Sequence, residues 1–134
     1  GLDLTTRGRD VSVLFGDGAG ALVLGAGEVS TTADSQVFAS VLHSDGAFAD
    51  ELSVSAPGHA HLGERLNVGL LESGAHYPKM NGKLVFQHAT RRMPEVVQEA
   101  LDQSGFSTKD VDLFLFHQAN LRINEFAAKQ LNAD

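Results

Sequence analysis

Apolar positions fall into short runs in the first third of the chain and into helix-period segments later. Residues 11–15 form a β-branched and apolar run, and residues 21–26 form a second. Gly16-Asp17-Gly18-Ala19-Gly20 joins them, which predicts two strand segments linked by a glycine-rich turn or bulge. Residues 36–43 alternate, with Val37, Ala39, Val41 and His43 on one face and Phe38, Ser40 and Leu42 on the other. Both faces are largely apolar, so this run predicts another strand, and near-continuous apolar character predicts cover on both sides. Residues 47–79 are irregular and hold Pro57, Pro78, several glycines and three histidines, His59, His61 and His76. A loop of that length in a compact domain is usually functional or mobile.

From Met80 the period changes. Leu84, Val85 and His88 share one helical face, and Val96, Val97, Ala100 and Leu101 another. Pro94 interrupts the pattern, and a proline costs about 3 kcal/mol in a helix interior. The pattern therefore predicts a kink or two helices, the second starting near Pro94 with Glu95 in its first turn, where the helix dipole favours an acid. Gly105 reads as a C-terminal stop, and Ser107-Thr108-Lys109-Asp110 as a small capped turn. Residues 111–116 predict a strand. Residues 121–131 predict a helix with Ile123, Phe126, Ala127 and Leu131 inward and Arg122, Glu125, Lys129 and Gln130 outward. Strands first, then helix, strand and helix, is the order of an α/β fold with at least part of the sheet parallel.

Composition narrows the function classes. The 134 residues suffice for one domain with a core, and 43% hydrophobic with 20% charged residues is a globular balance. A net charge of -7 argues against a general nucleic-acid binder, which needs a basic surface. No run of about 18 apolar residues predicts a membrane span, and no signal-peptide pattern opens the chain. Cysteine is absent, which excludes disulfides, thiolate metal sites and a cysteine nucleophile within these residues. A reducing cytoplasm is the plainest compartment. The chain begins at Gly1 rather than Met and stops at Asp134 just after a helical run, which predicts a piece of a longer protein.

The best candidate for chemistry is His117, the first residue past the predicted strand 111–116, because open α/β sheets build their sites at that edge. Gln118 and Asn120 are amides that can fix its tautomer or line a pocket. A neutral imidazole with an inward N–H can donate to a developing oxyanion; the alternative is a structural histidine at a strand end. The glycine-rich stretch is neither G-x-x-x-x-G-K-[ST] nor G-x-G-x-x-G and predicts close backbone approach rather than a phosphate cradle. His59, His61 and His76, with Glu64 nearby, read as loop-surface histidines rather than a metal set. His43 and His88 read as core or rim residues. Arg91 and Arg92 with Lys79 and Lys83 form a basic cluster, either a solvated helix face or a docking patch for an acidic partner. No carboxylate pair demands glycosidase chemistry, and no G-x-S-x-G occurs.

Three stretches together resemble one family. Val13-Leu14-Phe15-Gly16-Asp17-Gly18-Ala19-Gly20-Ala21, Met80-Asn81-Gly82-Lys83-Leu84-Val85-Phe86 and Phe116-His117-Gln118-Ala119-Asn120-Leu121-Arg122 are similar, in order and spacing, to segments of the β-ketoacyl-acyl carrier protein synthase III enzymes. The resemblance implies a thiolase-like layered fold, with residues 1–35 ending its first half and residues 36–134 making most of its second. It implies a decarboxylative condensing enzyme of fatty-acid or related biosynthesis that joins an acyl thioester to a malonyl thioester. The family's catalytic set is a cysteine, a histidine and an asparagine. His117 matches the histidine, while the cysteine and asparagine are expected outside these residues. Arg122 and Lys129, with Asn120, match positions that bind substrate or the acidic acyl carrier protein. The implied substrates are coenzyme A and carrier-protein thioesters, with no cofactor and no metal, in a cytoplasmic homodimer. A non-catalytic thiolase-fold protein that only binds acyl thioesters is the competing reading.

Overall fold

The computed structural model describes residues 2–5, 8–28, 35–56 and 65–133. His59, His61 and Glu64 lie outside them. The described residues contain helices α1 (Arg9–Ser12), α2 (Val68–Glu72), α3 (Gly82–Ser104) and α4 (Leu121–Leu131), strands β1 (Leu52–Val54) and β2 (Pro78–Met80), and 3-10 turns at Gly46–Glu51 and Thr108–Asp110. The chain divides into two compact units, residues 1–16 with 44–89 and residues 17–43 with 90–134.

The first unit is built on the antiparallel pair of β1 and β2, with Leu52 opposite Met80 and Val54 opposite Pro78. The ladder runs on beyond β2, where Asn81 N–H donates to the Glu51 carbonyl at 2.8 Å. Ala56, buried beside it, donates its N–H to Ala75 O at 2.9 Å. Phe48, in the first 3-10 turn, packs its ring 4.1 Å from that of His88. His76 is half-buried with its ring 3.9 Å from Tyr77, so it is not the loop-surface histidine that the sequence predicts.

In the second unit the buried residues are Thr90, Pro94 and Leu101 of α3 and Ala127 and Leu131 of α4. Residues 35–43 carry two further contacts: Phe38 meets Phe106 edge to face at 4.9 Å, and His43 Nε2 lies 2.7 Å from Glu99 Oε2. His43 is thus paired with Glu99 but exposed, rather than a core or rim residue. Arg91 and Arg92 both hydrogen-bond Glu95, at 3.0 and 2.8 Å.

Helix boundaries follow local chemistry closely. Asn67, Asn81 and Asn120 stand immediately before α2, α3 and α4, and each accepts a backbone N–H on its side-chain oxygen. At the other ends, Gly74 (φ 71), Gly105 (φ 74) and Asn132 (φ 51) take the left-handed conformation. The residue after each donates its N–H five positions back: Ala75 to Leu70, Phe106 to Leu101 and Ala133 to Ala128. These are Schellman stops, which glycine and asparagine permit at least cost. Gly105 ends α3 as its sequence position predicts.

Two expectations are corrected. Of the two outcomes expected at Pro94, the division into two helices does not occur, and α3 runs through it for 23 residues. The ring is buried, and packing at that position outweighs the loss of one helical hydrogen bond. The predicted strands are not formed either. Arg9–Ser12 is helical, and residues 13–28, 35–45 and 113–117 lie outside regular structure. The one sheet among the described residues is antiparallel rather than parallel, and it forms inside the stretch that looked irregular. The expected cover is missing as well: Leu22, Val23, Leu113 and Leu115 are 83, 95, 70 and 78% exposed. A strand exists only where a second edge supplies hydrogen bonds and side-chain packing, and these runs meet none among the described residues.

Candidate functional site

His117 ends the irregular residues 113–117 and precedes a turn at Gln118 and Ala119. Phe114 and Phe116 stack behind it, with ring centroids 5.9 Å apart and planes 13° apart. The imidazole is exposed, as are Gln118 and Asn120. The chain then enters α4 at once, so the position of His117 is fixed by where that helix begins.

Asn120 fixes it. Its backbone is extended (φ -153, ψ 114), its Oδ1 accepts from Arg122 N–H at 3.0 Å, and its carbonyl accepts from Ile123 and Asn124 N–H at 3.1 and 3.3 Å. The carboxamide oxygen is therefore engaged in capping, and the NH2 group takes no part in that cap. The family resemblance puts Asn120 among the binding residues, and the structure adds that it caps α4; an asparagine directly before an apolar-periodic run is the local signal for such a cap.

Arg122 and Lys129 are exposed on α4. Seven residues separate them, two helical turns, so they share a face about 10 Å apart along the axis. Glu125 is exposed on the same side, as expected from the sequence. The inward set is Ile123, Ala127 and Leu131, and Ala127 is fully buried. Phe126, expected inward, is 44% exposed at the rim of a cleft of about 270 Å³ with Thr90, Arg91, Pro94, Glu95 and Gln130.

Two of the four members of the basic cluster, Arg91 and Arg92, are paired on an exposed helix face. Arg91 and Arg92 converge on Glu95, and their hydrogen bonds, Arg91 first, hold its carboxyl below the usual range. Among the described residues no group of histidine and carboxylate side chains could hold a metal ion. None of the described helices is long and apolar enough to cross a membrane. A larger cleft, about 870 Å³, lies in the first unit against Asp3, Thr5, Ser12, Glu72, Tyr77 and Lys79. His117 does not line it.

Comparison with known proteins matches both ends of the chain to one family. Residues 1–46 match 3-oxoacyl-(acyl-carrier-protein) synthase III, and residues 101–134 match the C-terminal part of the same synthase. The chain belongs to this family. It is 46% identical over 92% of its length to the beta-ketoacyl-(acyl-carrier-protein) synthase III of Acaryochloris marina, covering 35% of that protein. Against the synthases III of Cereibacter sphaeroides and Ehrlichia chaffeensis the identities are 44% over 92% and 41% over 96% of the chain, covering 35% and 36% of those proteins. The chain thus spans about a third of the length of these relatives.

Proposed function

We propose that these residues are part of a decarboxylative condensing enzyme that joins an acyl thioester to a malonyl thioester and yields a β-ketoacyl product in fatty-acid or related biosynthesis. The observation that carries this reading is the agreement of the two family matches, at opposite ends of the chain, with relatives that are all named as synthases. Those names favour the enzyme over a non-catalytic thiolase-fold binding protein.

In this reading an acyl group rides as a thioester on a cysteine that is not among these residues. The malonyl thioester loses carbon dioxide: its carbon–carboxylate bond breaks and the electron pair moves onto the thioester oxygen. His117 Nε2–H or Nδ1–H donates a hydrogen bond to that oxygen as it becomes an enolate. The enolate carbon then attacks the acyl carbon, and the cysteine thiolate leaves. Arg122 and Lys129 on one face of α4, with the Asn120 amide beside His117, receive the acidic carrier protein or the coenzyme A thioester. The reading invokes no cofactor and no metal. It places the protein in the cytoplasm as a homodimer.

The fold in this reading is thiolase-like and layered, with residues 1–35 closing one half and residues 36–134 forming much of the next. The exposed surface supports it. Two compact units of half this mass each would together expose about 8,000 Å². The chain exposes 11145 Å², and large apolar side chains of residues 13–15, 22–24 and 113–115 contribute to it. Neighbouring strands of a longer polypeptide would cover them.

The test is His117→Ala in the full-length protein. Decarboxylation of the malonyl thioester should fall on the order of a hundredfold or more, the usual cost of one oxyanion donor. Acylation of the cysteine should be largely retained. Equal loss of both steps would overturn the assigned role.

A further inference from the structure

We propose that Asn81–Gly82 is a self-modification site, at which the Gly82 nitrogen attacks the Asn81 carboxamide. The chain has five asparagines, Asn67, Asn81, Asn120, Asn124 and Asn132, and Asn81 is the one followed by glycine. The others precede Val68, Leu121, Glu125 and Ala133, whose β-carbons crowd the attacking nitrogen. Asn81 and Gly82 are both exposed. A β-carbon at Gly82 would meet nothing closer than Met80 Cε at 3.6 Å, so the approach is open.

The local geometry supplies the remaining parts. Gly82 opens α3, and the first amides of a helix have no carbonyl partner within it, so its N–H is not held in the helical ladder. Asn81 Oδ1 already accepts the Leu84 N–H at 3.3 Å. That oxygen takes the negative charge when nitrogen adds to Cγ, so the cap is a single-donor oxyanion site. Hydroxide removes the Gly82 amide proton, the nitrogen bonds to Cγ, and water returns a proton to Nδ2 as the Cγ–Nδ2 bond breaks, so that ammonia leaves and hydroxide is regenerated. Water then opens the cyclic imide at either carbonyl and gives aspartate or isoaspartate.

The two products differ in consequence. Aspartate keeps a capping oxygen and adds a negative charge at the helix start, where the dipole favours it. Isoaspartate reroutes the main chain through Cβ and Cγ, so the Asn81 carbonyl that accepts the Val85 N–H becomes a free carboxylate off the main chain, while the Asn81 N–H stays anchored to Glu51 O. The join between β2 and α3 then loses its register.

Asn67 and Asn120 are built-in controls, because they cap α2 and α4 through the same oxygen but precede branched side chains. Purified protein held in mildly alkaline buffer is digested, and the amide-to-acid mass gain is followed at each asparagine. Isoaspartate is scored by enzymatic methyl transfer. Asn81 should convert roughly tenfold faster than Asn67 or Asn120, the ratio given by a barrier difference of about 1.4 kcal/mol. Gly82→Ala should remove that excess. Conversion at Asn81 no faster than at the two control caps would overturn the proposal, whatever the behaviour of the variant.

Discussion

Asn120 Oδ1 lies 3.0 Å from the backbone nitrogen of Arg122, so the residue three places beyond His117 is the cap that starts α4. Position of the histidine and start of the helix are one structural fact. Replacing a capping asparagine by alanine costs about 1 kcal/mol. Asn120→Ala should lower stability to urea by that amount, and Asn120→Asp should restore it. Equal midpoints for wild type and Asn120→Ala would show that the cap does not hold α4.

Acid should weaken the protein through two carboxylates. Hydrogen bonds from Arg91 and then Arg92 hold the Glu95 carboxyl below its ordinary value, and the Ser107 hydroxyl and then its backbone N–H do the same for Asp110. Both folded-state values are depressed, so the stabilisation is present above the unfolded value and fades as the pH falls through the folded one. The loss should begin at about pH 4.5 for Glu95 and about pH 3.8 for Asp110 and grow below those values. Glu95→Gln should flatten the upper part of this acid limb in a series of thermal melts.

Asn124 Oδ1 is buried with no hydrogen-bond partner among the described residues. A buried acceptor without a donor costs about 1–3 kcal/mol, and alanine is also the better helix former. Asn124→Ala should therefore stabilise the protein by about 1 kcal/mol in denaturant titration. A loss of stability would mean that the oxygen has a partner, such as bound water.

Charge reversal on α4 separates docking from chemistry. Arg122→Glu with Lys129→Glu in the full-length enzyme should raise KM for carrier-protein thioesters on the order of tenfold while leaving kcat with small thioesters near wild type. Surface charges act mainly on encounter, so the effect should shrink at high salt. Equal loss with both kinds of thioester would place these residues in the chemistry or the fold instead.

The bodies of α3 and α4, the stop at Gly105, the turn at 107–110 and the histidine motif are legible in the sequence, because their signals are local, whereas α1, α2 and the asparagine caps are not read from it. The period over 84–101, the stop at Gly105, the turn from Ser107 to Asp110 and the run 121–131 each lie within a few residues of the groups that satisfy them. His76 was misread because burial against Tyr77 depends on how residues 74–77 turn, which composition does not reveal.

By itself the sequence determined that 84–101 and 121–131 are helical, that Ile123, Ala127 and Leu131 face inward, and that His117 stands at the entrance to α4; the continuity of α3 through Pro94 and the exposure of Phe126 were decided by packing. Tertiary structure decided which extended segments become strands, and it chose 52–54 with 78–80 rather than the more apolar runs. The reason is physical: a helix satisfies its hydrogen bonds within one segment, whereas a strand must find a partner edge elsewhere in the chain.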